Sequence, residues 1–324
     1  MNNVLIYTEN FDGKFKKSVY EIASYGSEIA RKLGGQVIAI SLGDVAEDEL
    51  KSLGTYGISK VLKVSGEAFN TLQNQAYATV IAQAAKQENA GVIIFSASNT
   101  AKAIAPRVSV KLKAGMVFAA TGLPSNLAPF TIPKKVFHGK AFADVVVNSE
   151  CKIISLSQNS FGVKEHPAEV TIEAMQAEAP ATSKIRVTDT QKASGKILLN
   201  DAEIIVSGGR GMKSAENWQP IEELAEILGA ATACSRPISD EGWRPHSEHV
   251  GQTGKIVAPN LYFALGISGA IQHLAGVSSS KVIVAINTDK DAPIFQAADY
   301  GIVGDVQKVL PQLNDAFRKF KAEN

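Results

Sequence analysis

Short runs rich in β-branched residues alternate with longer segments whose apolar residues recur at helical spacing, and no other feature constrains the fold as strongly. In the first third, residues 3–7, 36–41, 61–64 and 92–96 read as strands. Between the first two, segment 18–33 sets Val19, Ile22, Ala23, Ile29 and Ala30 on one helical face, and Gly34 with Gly35 supplies the stop. A second amphipathic stretch, 69–86, precedes Val92, and a third, 99–112, follows it. Strand, helix, strand in that order implies a parallel sheet with helices on its faces. The expected fold is α/β in two three-layer domains. The N-terminal one is a mostly parallel sheet with added antiparallel strands, and the C-terminal one is a doubly wound parallel sheet.

Past Gly115 the pattern changes. Segments 130–137, 141–147, 152–156 and 170–174 are strand-like, with no room for helices between most of them, so they are expected to join the same sheet as antiparallel strands. Residues 177–194 are polar and mixed in charge, contain Pro180, Thr182 and Ser183, and read as a linker. At roughly 150 residues per domain, the 324 residues divide into two: 1–190, a linker at about 177–198, and 199–324. The alternation resumes in the second part. Strands are expected at 203–206, 230–234, 261–267, 281–286 and 301–303, and helices at 216–228, 268–274, 293–298 and from Val306 onward.

Composition narrows the function by exclusion. The 33 basic and 32 acidic residues give a net charge of +1, and neither half carries an excess suited to nucleic acid or an anionic membrane. Cys151 and Cys234 are the two cysteines; isolated thiols without CxxC spacing fit buried small residues in a reducing compartment, not a disulfide framework or a zinc site. The opening MNNVLIYTEN has no basic start, and its apolar run is too short for a signal peptide. No segment approaches the roughly 18 apolar residues of a membrane span. The expected setting is a bacterial cytoplasm or an equivalent reducing compartment.

Chemistry-bearing residues cluster where the later strands end, which is where open parallel sheets bind ligands. SGGRGMKS, 207–214, follows a strand and precedes a helix. Its spaced glycines suit either close approach to a phosphate or a tight turn at positive φ. SRPISDEGW, 235–243, sets Arg236 at a strand end. The plain reading pairs it with Asp240 or Glu241; an NADP 2'-phosphate is another possible counterion. HVGQTGKIVAP, 249–259, imitates a phosphate loop but has the wrong spacing, leaving Gln252 and Thr253 as hydrogen-bond donors on a glycine-flanked loop. GISGAIQHLAG, 266–276, offers Ser268 as an N-cap, bare Gly269 and Ala270 after it, and His273 in the second turn. Asn287 and Asp305 each follow a strand, placed to read a ribose or adenine or to cap the next helix.

None of these motifs pairs a nucleophile with a base, sets two carboxylates together or spaces metal ligands, and His246 and His249 lack the i, i+4 spacing of a zinc-binding helix. No metal is expected. The groups present are those that tune a bound cofactor.

Taken in order, VSGGRG, SRPISDEGW, VGQTGKIVAP, GISGAIQHLAG and AINTDKDAPIFQAADYGIVGD closely resemble the α subunit of electron transfer flavoproteins, over nearly all of 203–306. The N-terminal part is similar more loosely, in its opening MNNVLIYTEN and its strand-helix alternation. The resemblance implies an FAD-binding C-terminal domain and an N-terminal domain that docks a β subunit holding AMP or a second FAD. It implies an electron carrier without a substrate-turnover site of its own. Such carriers take electrons from flavin dehydrogenases, such as the acyl-CoA dehydrogenases of fatty-acid oxidation, and pass them to a quinone reductase or another acceptor oxidoreductase.

Carried over residue by residue, Arg210 and Ser235 resemble residues near the FAD pyrophosphate, and Arg236 the arginine against the isoalloxazine. Gln252 and Thr253, with Val250 and Gly251 before them, match the loop beside flavin N5. Ser268, Gly269, Ala270, Ile271, Gln272 and His273 match the helix that reaches the phosphate and the C2 carbonyl, and Asn287 and Asp305 the adenosine side. A cation or donor at Arg236 and His273 is expected to favour reduced, anionic flavin. The linker is expected to let the flavin domain move. The competing readings are an NADP-dependent oxidoreductase subunit and an adenine-nucleotide-binding module.

Overall fold

The computed structural model describes residues 2–177, 187–189 and 197–323. Most of the expected linker at 177–198 lies outside the described residues. The chain forms two compact units, Met1–Thr190 and Gln191–Asn324.

In the first unit, the strands in spatial order are Ala141–Val146, Phe130–Val136, Gly115–Ala120, Lys152–Leu156, Ala90–Ser96, Asn3–Tyr7, Val37–Leu42, Lys60–Val64 and Thr171–Ala174. Lys17–Leu33 packs on one face, with Ile22 and Ile29 against Val4, Ile6 and Ile94. Helices Asn74–Gln87 and Asn99–Leu112 cover the other, with Ile81 and Ile104 against Leu5, Ile93 and Phe95. Neighbouring strand residues thus enter opposite cores, which is why these strands read as continuous apolar runs.

Only part of the antiparallel expectation holds. Phe130–Val136 and Ala141–Val146 do form an antiparallel pair. Lys152–Leu156 instead lies inside the parallel sheet, parallel to both Ala90–Ser96 and Gly115–Ala120, and Thr171–Ala174 lies parallel to Lys60–Val64. The want of a crossover helix was the ground for the antiparallel reading. The chain re-enters the sheet from the hairpin, so Lys152–Leu156 reaches a parallel neighbour without one.

The second unit is a five-stranded, all-parallel sheet in the order Ala231–Cys234, Ile204–Gly208, Leu261–Leu265, Val282–Asn287 and Tyr300–Val303. Gln219–Leu228 and Val306–Glu323 pack on one face, where Ile221, Leu224 and Leu310 meet Val206, Phe263 and Ile286. Val277 of helix Ile271–Val277 and Ile294 cover the other, against Ile205, Tyr262 and Ala285. The chain steps from Ile204–Gly208 to the neighbour on one side, then returns to the neighbour on the other. The crevice where strand order reverses therefore opens between the carboxyl ends of Ile204–Gly208 and Leu261–Leu265.

Candidate functional site

A cleft of about 510 Å³ lies at that crevice, within the roughly 300 to 1,000 Å³ typical of small-ligand sites. Four of the five strand ends contribute to its wall. Arg210 follows the first strand; Ser235 and Arg236 follow Ala231–Cys234; Ser268 and Ala270 follow Leu261–Leu265; Asn287 ends its own strand. The loop after residue 248 adds Val250, Gly251, Gln252 and Thr253, and helix Ile271–Val277 adds Gln272 and His273. Gly269, Ile271 and Asp305, which the sequence placed in the same group, do not line the cleft.

Two glycines set the depth of this floor. A Cβ on Gly211 would stand 2.6 Å from the Gly266 Cα, and the Gly211 N–H donates to the Gly266 carbonyl at 2.9 Å. Gly266 itself adopts φ +64. Gly209 and Gly211 have no positive φ; they are glycines because two backbones touch there, not because of a strained turn.

The cations are placed differently from one another. Arg236, with 60% of its side chain exposed, makes an i, i+4 contact of 3.3 Å with Asp240, so the pairing read as the plain alternative is present while the residue also lines the cleft. Lys213 reaches Asp305 at 2.9 Å, and Asp305 also accepts from the Gln307 N–H at 3.0 Å, a cap for the last helix. Asn287 spans two loops: its Nδ2 donates to the Ile267 carbonyl at 2.9 Å, and its Oδ1 accepts from the Asp289 N–H at 3.0 Å.

Ser268 is not the N-cap. Helix Ile271–Val277 starts after Ala270, without a side-chain cap, because the Ser268 carbonyl accepts from the Ile294 N–H at 3.0 Å and holds that residue outside the helix.

His273 is buried, 6% exposed, and its Nε2 lies 3.0 Å from the Tyr262 hydroxyl. Burial first, then the neighbouring His249, pulls its pKa down to about 4, with a backbone contact to Val250 working the other way. The ring is thus neutral near pH 7 and acts as a hydrogen-bonding group, not as a second cation beside Arg236. Its Nδ1 is buried without a hydrogen-bond partner. Cys234, behind Ser235, is a free thiol that burial pushes up to about 12, which removes it as a nucleophile.

Sequence reasoning missed two neighbours. His249, 3% exposed, also lines the cleft. Its backbone bridges in parallel to Cys234, a pairing no local pattern reveals. Arg244 holds the loop that delivers it: its Nε and Nη2 reach the two Glu248 oxygens at 2.8 and 2.9 Å, and its Nη1 reaches Glu222 at 2.7 Å. The guanidinium also lies over the Trp218 ring, 5.6 Å from its centroid. The RP and HSE around this loop were the available signal. Among the described residues there is no cluster suited to a metal ion, and no helix is long and apolar enough to cross a membrane.

Comparison with known proteins points in one direction. Residues 4–189 match the family model of the electron transfer flavoprotein domain, and residues 198–278 that of the electron transfer flavoprotein FAD-binding domain. An electron transfer flavoprotein subunit alpha of Bacillus subtilis is 35% identical over 98% of this chain and 97% of its own length. One of Syntrophomonas wolfei is 36% identical over 98% of this chain and 100% of its own length. A Protein FixB of Clostridium saccharobutylicum is 33% identical over 96% and 94%.

Proposed function

The chain belongs to the electron transfer flavoprotein α-subunit family, and from that premise we propose that it binds FAD in the cleft of its second unit and relays electrons as one half of an α/β heterodimer. The observation that carries the reading is the cleft itself. It lies where strand order reverses, has arginines at two strand ends, and holds a buried neutral imidazole with an orphaned Nδ1. These groups fit a dinucleotide flavin. Arg210 supplies positive charge for the pyrophosphate. Gln252 and Thr253 offer donors to the edge of a ring system, and the imidazole meets a carbonyl.

Bound FAD supplies the redox chemistry; the chain supplies orientation and electrostatics. With the Tyr262 hydroxyl donating to Nε2, the His273 proton resides on Nδ1 and is available to a carbonyl oxygen such as the flavin C2 oxygen. The Arg236 guanidinium stands at the cleft wall as the charge that favours an anionic occupant. Asp240 holds it there and shields part of its field. That carboxylate also weakens the NADP alternative, because it would repel a 2'-phosphate at the same arginine.

The first unit is assigned to docking the β subunit, in which AMP or a second FAD is expected. The donors fit the class of flavin dehydrogenases and the acceptor a quinone reductase or related oxidoreductase, with no turnover site in this chain. The test is co-purification with the β subunit. A yellow heterodimer with flavin assigned to this chain supports the reading; a colourless one with full affinity for NADPH overturns it. In Arg236→Ala the flavin potential is expected to fall by about 59 mV or more, a tenfold change in a one-electron equilibrium. An unchanged potential would remove Arg236 from the tuning role.

A further inference from the structure

The proposed flavin site accounts for His273 but leaves a second buried imidazole unexplained. His249 lines the same cleft, and its Nδ1 has no hydrogen-bond partner. The ring lies directly under the glycine loop: a Cβ on Gly254 would stand 2.8 Å from its Cγ and Nδ1, and one on Gly251 would stand 3.4 Å from its Nε2. Residues 251 and 254 are thus glycines in part because this ring occupies the space beneath them. On its outer side, the exposed His246 packs against it with ring centroids 5.3 Å apart, and His246 Nδ1 is 3.3 Å from the Ser239 hydroxyl.

We propose that His249 is the group of this cleft that takes up a proton when the occupant gains negative charge, with His246 as its route to solvent. The inference rests on the flavin reading of the site.

Three observations favour His249 over the other candidates. Arg236 and Arg210 carry permanent charge and have no proton to gain. His273 is pulled down to about 4. Cys234 is held protonated. His249 is lowered too, by burial, then by His246 and Arg236, with Asp240 pulling the other way. The charged and titratable groups that face it are therefore His246 on its own loop, Arg236 and Asp240 on helix Arg236–Asp240, and His273 on helix Ile271–Val277. The Lys255 N–H donates to the His249 carbonyl at 2.9 Å.

In that setting burial first, and His246 and Arg236 after it, hold the ring toward its neutral form. One added negative charge in the cleft offsets the electrostatic part of that bias. The step balances: one electron enters the flavin from a reduced flavin dehydrogenase, one proton leaves bulk water by way of His246, and the products are the singly reduced flavin anion and the His249 imidazolium.

The experiment uses the flavin-loaded heterodimer with histidines carrying 13C at Cε1. Its pH titration by NMR is followed in the oxidised and the dithionite-reduced protein, beside spectroelectrochemical potentials from pH 5.5 to 8.5. The expected result is a His249 signal whose pKa rises by at least one unit on reduction, a tenfold gain in proton affinity. The one-electron potential should fall with pH at up to about 59 mV per unit in that window. His249→Gln should retain flavin and abolish that slope, whereas His246→Gln should keep the slope and slow the proton uptake seen with a pH indicator after rapid mixing. An unmoved His249 pKa in the reduced protein overturns the proposal, and so does an undiminished slope in His249→Gln. If that variant loses its flavin, the NMR titration of the wild type still decides. Failure of the wild type to hold flavin would instead sink the site assignment.

Discussion

The two units are built alike up to the ends of their strands and part company there. Each sandwiches a sheet, mostly parallel in the first unit and all-parallel in the second, between two apolar cores, and each reverses strand order beside its first strand. In the first unit the reversal falls between Asn3–Tyr7 and Ala90–Ser96. There the chain's own side chains span the crevice. The Glu9 carboxylate accepts from the Ser98 and Thr100 hydroxyls at 2.5 and 2.9 Å, at the start of Asn99–Leu112, and the Thr8 hydroxyl donates to the Ile40 carbonyl at 3.0 Å. In the second unit the same place is walled by arginines and opens as a cleft. The architecture provides an anion-compatible crevice in both; the loop residues decide whether a carboxylate of the protein or an external ligand uses it.

The comparison breaks most sharply at acid pH. The folded pKa of His273 is depressed to about 4, below its ordinary value, so the unfolded chain binds more protons in between. Stability of the second unit is therefore expected to be complete above about pH 6.5 and to fall as pH drops toward 4, by roughly 3 kcal/mol in all. Urea midpoints measured from pH 4 to 7 check this, and His273→Gln should flatten the dependence. Removing Arg244 comes next. Arg244→Ala leaves the buried Glu248 without its bidentate partner, at an expected cost of about 3 kcal/mol; the second unit should unfold at lower urea while the first is unmoved. Gly211→Ala forces a methyl against the Gly266 backbone and should cost about 2 kcal/mol with loss of bound flavin, read by urea melts and by absorbance after gel filtration. Smallest is Glu9→Ala, which removes two hydroxyl contacts in the first unit and should cost about 1 kcal/mol there, with flavin content unchanged. A flavin loss as large as that of Gly211→Ala would erase the distinction drawn between the two crevices.

Legibility followed the range of the forces involved. Asn99–Leu112 was readable to the residue, because Ser98 caps it and accepts from the Ala101 N–H at 3.0 Å, an interaction three residues long. Lys152–Leu156 was readable as a strand but not as a parallel central one. Ile153 and Ile154 face opposite cores, and both are satisfied by any two apolar surfaces. The site divides the same way. Arg236 and Asn287 were visible because each lies at the end of a strand. His249 was not, because its burial depends on a backbone bridge to Cys234 across the sheet end and on a loop clamped by Arg244.

What the sequence determined by itself was the alternation that demands parallel sheets, the glycines that let Gly211 and Gly266 touch, and five motifs ordered along the last third of the chain. Those are local or periodic properties, carried by residue type and spacing. The tertiary structure alone decided the charge state of the site. His273 is neutral because it is buried, Arg236 is restrained because Asp240 lies one turn away on the same helix, and Glu9 closes a crevice that its counterpart leaves open. Desolvation and charge pairing depend on which surfaces are brought together in space, and no window of sequence contains that information.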